Sequence, residues 1–187
     1  MINPTQQSIL LTKPIKMPKG LIYNYPKSCK YHLIETKTRQ VIGNLVAYNT
    51  KADGFLENIY DIKPDKDIFY IEKLYIHSWK RNQGWGEYLM DFAKRESHKQ
   101  GCSGRTFLVA YDYENPPQLF YKKQGFVAVD KKIDEELNKH LERGTKPYRY
   151  RDVDMYLPLE AAKRYEVPKI VSELKKDFWQ KIKDFFI

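Results

Sequence analysis

The chain has 187 residues, 42% of them hydrophobic and 30% charged. That length supports one substantial core, and that balance excludes a disordered chain. A net charge of +9 points to acidic partners (nucleic acid, an anionic membrane surface or a polyphosphate cofactor) without choosing among them. Cys29 and Cys102 stand alone, outside any C-x-x-C or Cys/His spacing, so neither a disulfide framework nor a metal site is expected. No apolar core region follows the N-terminus, and no run reaches the roughly 18–20 apolar residues of a membrane span. The expected setting is a reducing cytoplasm.

Residues 1–30 form a basic arm. Lys13, Lys16, Lys19, Lys27 and Lys30 precede the first acid, Glu35, and Pro4, Pro14, Pro18 and Pro26 break any helix. An extended arm on the domain follows, either a packed terminus or a strip for nucleic acid. Residues 31–35 and 41–48 read as strands around a polar turn. Residues 55–62 suit either a short strand or a helical turn. Tyr70 to Ile76 alternates β-branched and aromatic residues and reads as a strand. There alternation places Tyr70, Glu72 and Leu74 on one face.

Next comes Arg81-Asn82-Gln83-Gly84-Trp85-Gly86, a glycine-containing turn. The helix behind it runs to about Gln100, with Leu89, Phe92, Ala93 and Glu96 on neighbouring turns and Gly101 as its stop. A strand feeding such a turn and helix aims unpaired backbone N–H groups and the positive end of a helix dipole at one point. A phosphate is the natural occupant, and Gly84 and Gly86 let it approach the backbone without a Cβ in the way.

Residues 105–111 form a near-continuous apolar strand, as expected when both faces are covered. Strand, crossover helix and strand imply a right-handed parallel connection. A loop over 112–117 leads to a short helix over 118–124 stopped by Gly125, then a strand over 126–129. A charged helix over 134–143, stopped by Gly144, precedes the last strand, 148–157. The pattern predicts an α/β domain with a mixed sheet and helices packed on it. In the tail Pro168 opens a helix whose Ile170, Val171, Leu174, Phe178 and Ile182 share a face. Docking on the domain, a dimer contact and a helix in a membrane interface all remain open for it.

Two segments together carry a resemblance. The first is Ser78 to Met90, with Arg-x-x-Gly-x-Gly behind a Leu-x-Ile strand. The second, about thirty residues on, is Phe120-Tyr121-Lys122-Lys123-Gln124-Gly125-Phe126. Both resemble signatures of the GNAT superfamily of acetyl-CoA-dependent N-acetyltransferases, and the match covers about residues 31–157. The resemblance implies a mostly antiparallel twisted sheet with one splayed strand pair, between the basic arm (1–30) and a helical appendage (158–187). It implies that the Arg81 to Gly86 backbone binds the acetyl-CoA diphosphate, and that Leu74, Tyr75 and Ile76 pair with the pantetheine amides. Lys123 belongs to the second cofactor-contacting turn. The family's cofactor-contacting Asn, seven residues before the helix tyrosine, falls on Glu114, with Asn115 one residue later. The family's usual proton donor to the leaving thiolate falls on Tyr121.

An attacking amine must be unprotonated, so a base is required. Glu72 is the candidate, or else a salt-bridged surface glutamate, with Tyr70 as an alternative that positions water. Glu57, Asp61 and Glu72 are the acids expected near the acceptor mouth. The implied activity is acetyl transfer to a primary amine of a small molecule, polyamine or protein, by a monomer or homodimer. The alternatives are toxin-like acetylation of aminoacyl-tRNA and a non-catalytic binding module.

Overall fold

The structure, a computed structural model, describes residues 9–11, 15–16, 29–35, 38–63, 66–111, 117–147 and 152–166. The tail helix beyond Pro168, the 112–116 loop with Asn115, the start of the last predicted strand and most of the arm lie outside the described residues. In chain order the elements are β1 (Ile9–Leu11), β2 (Ile15–Lys16), β3 (Cys29–Glu35), β4 (Val41–Lys51), α1 (Gly54–Tyr60) and β5 (Asp67–Ile76). After a 3-10 turn at Ser78–Lys80 come α2 (Trp85–Lys99), β6 (Thr106–Tyr111), α3 (Gln118–Lys123), β7 (Val127–Ala128), α4 (Lys131–Arg143), β8 (Asp152–Tyr156) and α5 (Leu159–Ala162).

The sheet order is β1-β3-β4-β5-β6-β8-β7, with β2 also paired to β3. The β5–β6 pair is parallel, across the crossover helix α2, and the other pairs are antiparallel. The described part of the basic arm is therefore extended and adds to the sheet edge at β3.

Successive side chains of β5 divide the core between the two sheet faces. Phe69 and Ile71 join Trp85, Leu89, Met90 and Ala93 of α2, with Tyr121, Phe126, Val153 and Met155. Ile68 joins Leu56 and Tyr60 of α1 and Phe107 of β6, with Tyr70 packed against them. The ambiguous 55–62 stretch is thus a helix. The Asp53 carboxylate accepts from the Leu56 N–H and caps it. Leu56 and Tyr60, one turn apart, are its buried residues.

Helix α4 begins three residues earlier than its charge pattern suggested, because Asp130 accepts from the Lys132 and Ile133 N–H groups. The buried stripe of α2 also differs from the predicted one. Lys94 and Ser97 lie within it, whereas Glu96 is half-buried. Residues 158–166 pack onto α2. Ala162 is buried, and its carbonyl lies 3.0 Å from His98 Nε2. No helix among the described residues is long and apolar enough to cross a membrane.

Candidate active site

The site begins where β5 and β6 part. Their parallel ladder pairs Phe69, Tyr70 and Ile71 with Thr106, Phe107 and Leu108, and goes no further. Val109 to Tyr111 remain paired with β8, and Leu74 to Ile76 with β4. A gap therefore opens between the C-terminal halves of β5 and β6. This is the splayed pair that the sequence resemblance implied.

A bulge in β5 decides which groups line the gap. Val46 pairs with Lys73 and Ala47 with Ile71, so Glu72 is the extra residue. The side chains show its effect: Phe69 and Ile71 face α2, and so do Leu74 and Ile76. Alternation had placed Leu74 with Tyr70, and the bulge overturns that. Tyr70 packs on the α1 face, Leu74 on the α2 face. Glu72 and Lys73, between the buried Ile71 and the half-buried Leu74, are both exposed.

The peptide groups turn in the same way. The Phe69 N–H bonds the Arg105 carbonyl at 2.9 Å, towards β6, while the His77 N–H bonds the Ile42 carbonyl at 3.0 Å, towards β4. Both residues are odd-numbered, so an unbroken strand would aim both amides the same way. Past the bulge, Leu74 and Ile76 therefore present their backbone to the gap. The Ile76 carbonyl is taken by Arg81 Nε at 3.1 Å. Among the described residues, the Leu74 peptide has no ladder partner on the gap side.

The turn at 81–86 closes one end of the gap. Asn82 (φ 58°) and Gly84 (φ 85°) take left-handed conformations, and Gly84 is the N-cap of α2 with no side-chain cap bond. The first helical bond runs from the Tyr88 N–H to the Gly84 carbonyl at 3.0 Å. The amides ahead of it have no acceptor within the helix, and the dipole adds partial positive charge there.

The side chains of this turn brace it. Arg81, besides its bond to Ile76, lies over the Tyr75 ring at 5.9 Å. Gln83 Nε2 donates to the Trp79 carbonyl at 3.2 Å. Trp85 is buried in the core. Gly86 also has a packing task that its sequence did not suggest. A Cβ there would stand 3.3 Å from two ring atoms of Phe120, so its missing side chain admits α3.

Phe120 brings Tyr121 to the α2 side of the sheet. Tyr121 is 8% exposed, between the rings of Phe120 (5.2 Å) and Phe126 (6.0 Å). Burial, with the neighbouring Tyr111 phenol, pushes its pKa up to about 12. Its hydroxyl therefore stays protonated at neutral pH and remains a donor. Lys123 is exposed on the last turn of α3.

The opposite face carries features that the linear sequence did not reveal. A cavity of about 320 Å³ is lined by Phe55, Val129, Ile133 and three aspartates, Asp130, Asp152 and Asp154. Asp154 pairs with Val109, one residue beyond the last rung of the β5–β6 ladder. Burial and the adjacent Asp152 charge raise the Asp154 pKa. The expected acids, Glu57, Asp61 and Glu72, do not line this cavity. A row of rings, Tyr70 to Phe107 (6.0 Å) to Phe55 (6.1 Å), runs from β5 to it. A second aromatic strip leaves β5 in the other direction. Tyr75 meets His77 edge-on at 5.1 Å, and His77 stacks on Trp79 at 6.1 Å. Trp79 is 52% exposed, and Lys73 and Arg81 flank Tyr75.

Comparison with known proteins agrees with this geometry. No protein of curated function matches the sequence significantly. Among solved structures, a bacterial toxin superposes with a TM-score of 0.57 at 12% identity, over 84% of this chain and 94% of that one. The KacTA–DNA complex gives 0.50 at 14% identity, over 73% and 71%. AtaTR bound with acetyl-CoA gives 0.47 at 18% identity, over 73% and 70%. At such identities the first two likenesses concern the fold alone. Residues 28–128, more than half of the chain, match the sequence model of the acetyltransferase (GNAT) domain. That stretch holds both the bulged strand with its glycine turn and the helix of Tyr121, and the protein belongs to the GNAT acetyltransferase family.

Proposed function

We propose that the protein is an acetyl-CoA-dependent N-acetyltransferase that acylates a primary amine by direct attack. The observation that carries this reading is the gap between β5 and β6, bounded by the uncapped start of α2 and by the Tyr121 side of the sheet. The amides of the first α2 turn suit a diphosphate. The Leu74 peptide suits the pantetheine amides and, through its N–H, a thioester oxygen gaining charge. Gly84, with its left-handed φ, gives the turn the shape this requires.

In the reaction the amine nitrogen bonds the thioester carbon, the C–S bond breaks and the thiolate leaves. An amine with a pKa near 10 is mostly ammonium at neutral pH, so a base must take its proton. Glu72 stands exposed at the bulge, and in this reading it takes the proton through a water molecule. Tyr121 serves the departing sulfur. With its pKa near 12 and a thiol near roughly 8.5, full proton transfer runs uphill. Its contribution is a hydrogen bond that stabilises the thiolate until solvent protonates it.

The aspartate-lined cavity favours a cationic acceptor, that is, a small amine, a polyamine or a lysine or N-terminus of a peptide. The decisive experiment measures thermal stabilisation by acetyl-CoA together with thiol release over a panel of amines. Stabilisation with release on a cationic amine is the expected result. Stabilisation without release on any amine favours a binding module, and no stabilisation removes the reading.

One observation favours a second acceptor, the aminoacyl end of a tRNA. The exposed Trp79 ring, with half-buried Tyr75 and His77 behind it and Lys73 and Arg81 beside it, suits stacked bases and their phosphates. Trp79→Ala separates the two acceptors. It lowers turnover on aminoacylated RNA and leaves small amines unaffected.

A further inference from the structure

We propose that Lys94 is a positioning residue: it clamps α2 to the C-terminal turn of α3 and so fixes where Tyr121 stands relative to the phosphate turn. The proposal rests on the acetyltransferase reading.

A lysine on the buried stripe of α2 is the starting observation. The Lys94 side chain is 0% exposed. Its ammonium donates to the Gln124 carbonyl at 2.9 Å, to Gln124 Oε1 at 3.4 Å and to the Tyr165 hydroxyl oxygen at 3.1 Å. Asp91 Oδ1 lies 3.5 Å away and also accepts from the Tyr165 hydroxyl at 3.0 Å. Each ammonium proton has a partner, and the partners come from three separate segments. Burying a cation is unfavourable, and an aliphatic side chain would fill the same stripe without that penalty. What the lysine supplies is a directional hold on particular groups.

The principal group held is the residue that ends α3. The Gln124 N–H bonds the carbonyls of Phe120 (3.1 Å) and Tyr121 (3.0 Å), and the Phe126 N–H bonds the Tyr121 carbonyl at 3.0 Å. The peptide of Tyr121 is thus built into the turn whose next carbonyl Lys94 grips. Helix α3 meets α2 at a second point, where the Phe120 ring covers Gly86 in the first turn of α2. Tyr121 lies between these attachments in sequence. With both, α3 keeps one orientation. Gln118 Nε2 also donates to the Ala110 carbonyl at 3.2 Å and Lys122 meets Asp134 at 2.8 Å, so without the Lys94 bond it is the C-terminal turn of α3 that loosens from α2, and the phenol shifts with it.

The groups facing the ammonium are Asp91 and Arg95 of α2, Gln124 of α3, and Arg164 and Tyr165 of the last described turn. The clamp thereby also fixes the chain after α5 to the phosphate helix.

The test combines acetyl-CoA affinity with single-turnover rates. Lys94→Met is expected to keep acetyl-CoA affinity within about twofold and to lose about tenfold or more in kcat, since a displaced donor forfeits part of its typical contribution. In a Tyr121→Phe background the same substitution is expected to lose almost nothing further, because both changes remove one function. A general loss of folded protein lowers both backgrounds alike. Unchanged kcat in Lys94→Met, or an equal loss in both backgrounds, overturns the clamp. If Lys94→Met does not fold, the cycle runs with Tyr165→Phe, which removes one partner of the ammonium and keeps its ring. A loss of about threefold, absent with Tyr121→Phe, is then expected, and an unchanged rate overturns the proposal. Absence of thiol release by the wild-type protein on every amine sinks the acetyltransferase reading itself, a separate outcome.

Discussion

The ring of Phe120 occupies the space where a side chain on Gly86 would begin, 3.3 Å from the ideal Cβ position. The helix behind the glycine turn and the helix of the Tyr121 phenol thus meet at a glycine, and a methyl group there acts on both. Alanine gains up to about 1 kcal/mol of helix propensity over glycine, whereas overpacking costs about 1–3 kcal/mol. Gly86→Ala is expected to destabilise the protein by about 1 kcal/mol with Phe120 present, and to stabilise it in a Phe120→Ala background. Denaturant melts of the four proteins in this cycle measure the coupling. Additivity within experimental error would show that the contact carries no strain.

Tyr121→Phe keeps the packing of the ring and removes the hydroxyl. Acetyl-CoA affinity is expected to hold within about twofold and kcat to fall about a hundredfold. Because burial pushes the phenol up to about 12, Tyr121 adds no alkaline limb to the wild-type rate below about pH 11. Stopped-flow single turnovers from pH 6 to pH 10 check both points. A kcat equal to wild type would remove Tyr121 from the chemistry.

Lys94 makes a separate prediction about stability. Burial lowers its pKa from 10.5 to about 8, against the opposing pull of Asp91. Between those values the unfolded chain binds more protons than the folded one, so this group's contribution makes stability rise with pH over that window. Below pH 8 the penalty of the buried charge is present in full. Its ceiling, at 1.36 kcal/mol per unit, is on the order of 3 kcal/mol. Ionisation of other groups, Cys102 and Tyr60 among them, acts in the opposite direction at high pH, since burial raises their pKa values. The measurement is therefore the difference between wild type and Lys94→Met in urea melts from pH 7 to pH 10.5. The difference should shift in favour of wild type as pH rises, and a constant difference contradicts the assignment.

Asp154 tests the acceptor side. Its carboxyl lines the cavity with Asp130 and Asp152 and is not among the groups assigned to acetyl-CoA. Asp154→Asn is expected to raise KM for a cationic amine about tenfold while leaving acetyl-CoA affinity and kcat near wild type, the pattern of lost ground-state attraction. Initial rates with a diamine and with a neutral-bodied amine provide the comparison. Equal KM changes for both acceptors exclude charge recognition by this cavity.

Local signals in the chain determined a good deal. The two motif segments, Ser78 to Met90 and Phe120 to Phe126, indicated the family and the strand–turn–helix order, because glycines, a β-branched strand and helical spacing act over a few residues. The N–H groups at the start of α2 were legible for the same reason. Tertiary structure decided what depends on partners far apart in sequence. The bulge at Glu72 exists because β4 pairs out of step with β5 at Val46 and Ala47, and it moves Leu74 to the face opposite Tyr70. Nothing within the run Tyr70 to Ile76 announces it, since a register shift belongs to two strands at once. The same holds for the packing task of Gly86, whose missing side chain makes room for Phe120. It holds too for Lys94, whose partners Gln124 and Tyr165 come from distant parts of the chain. Short-range preferences fix which elements form; only packing fixes which atoms those elements present to one another.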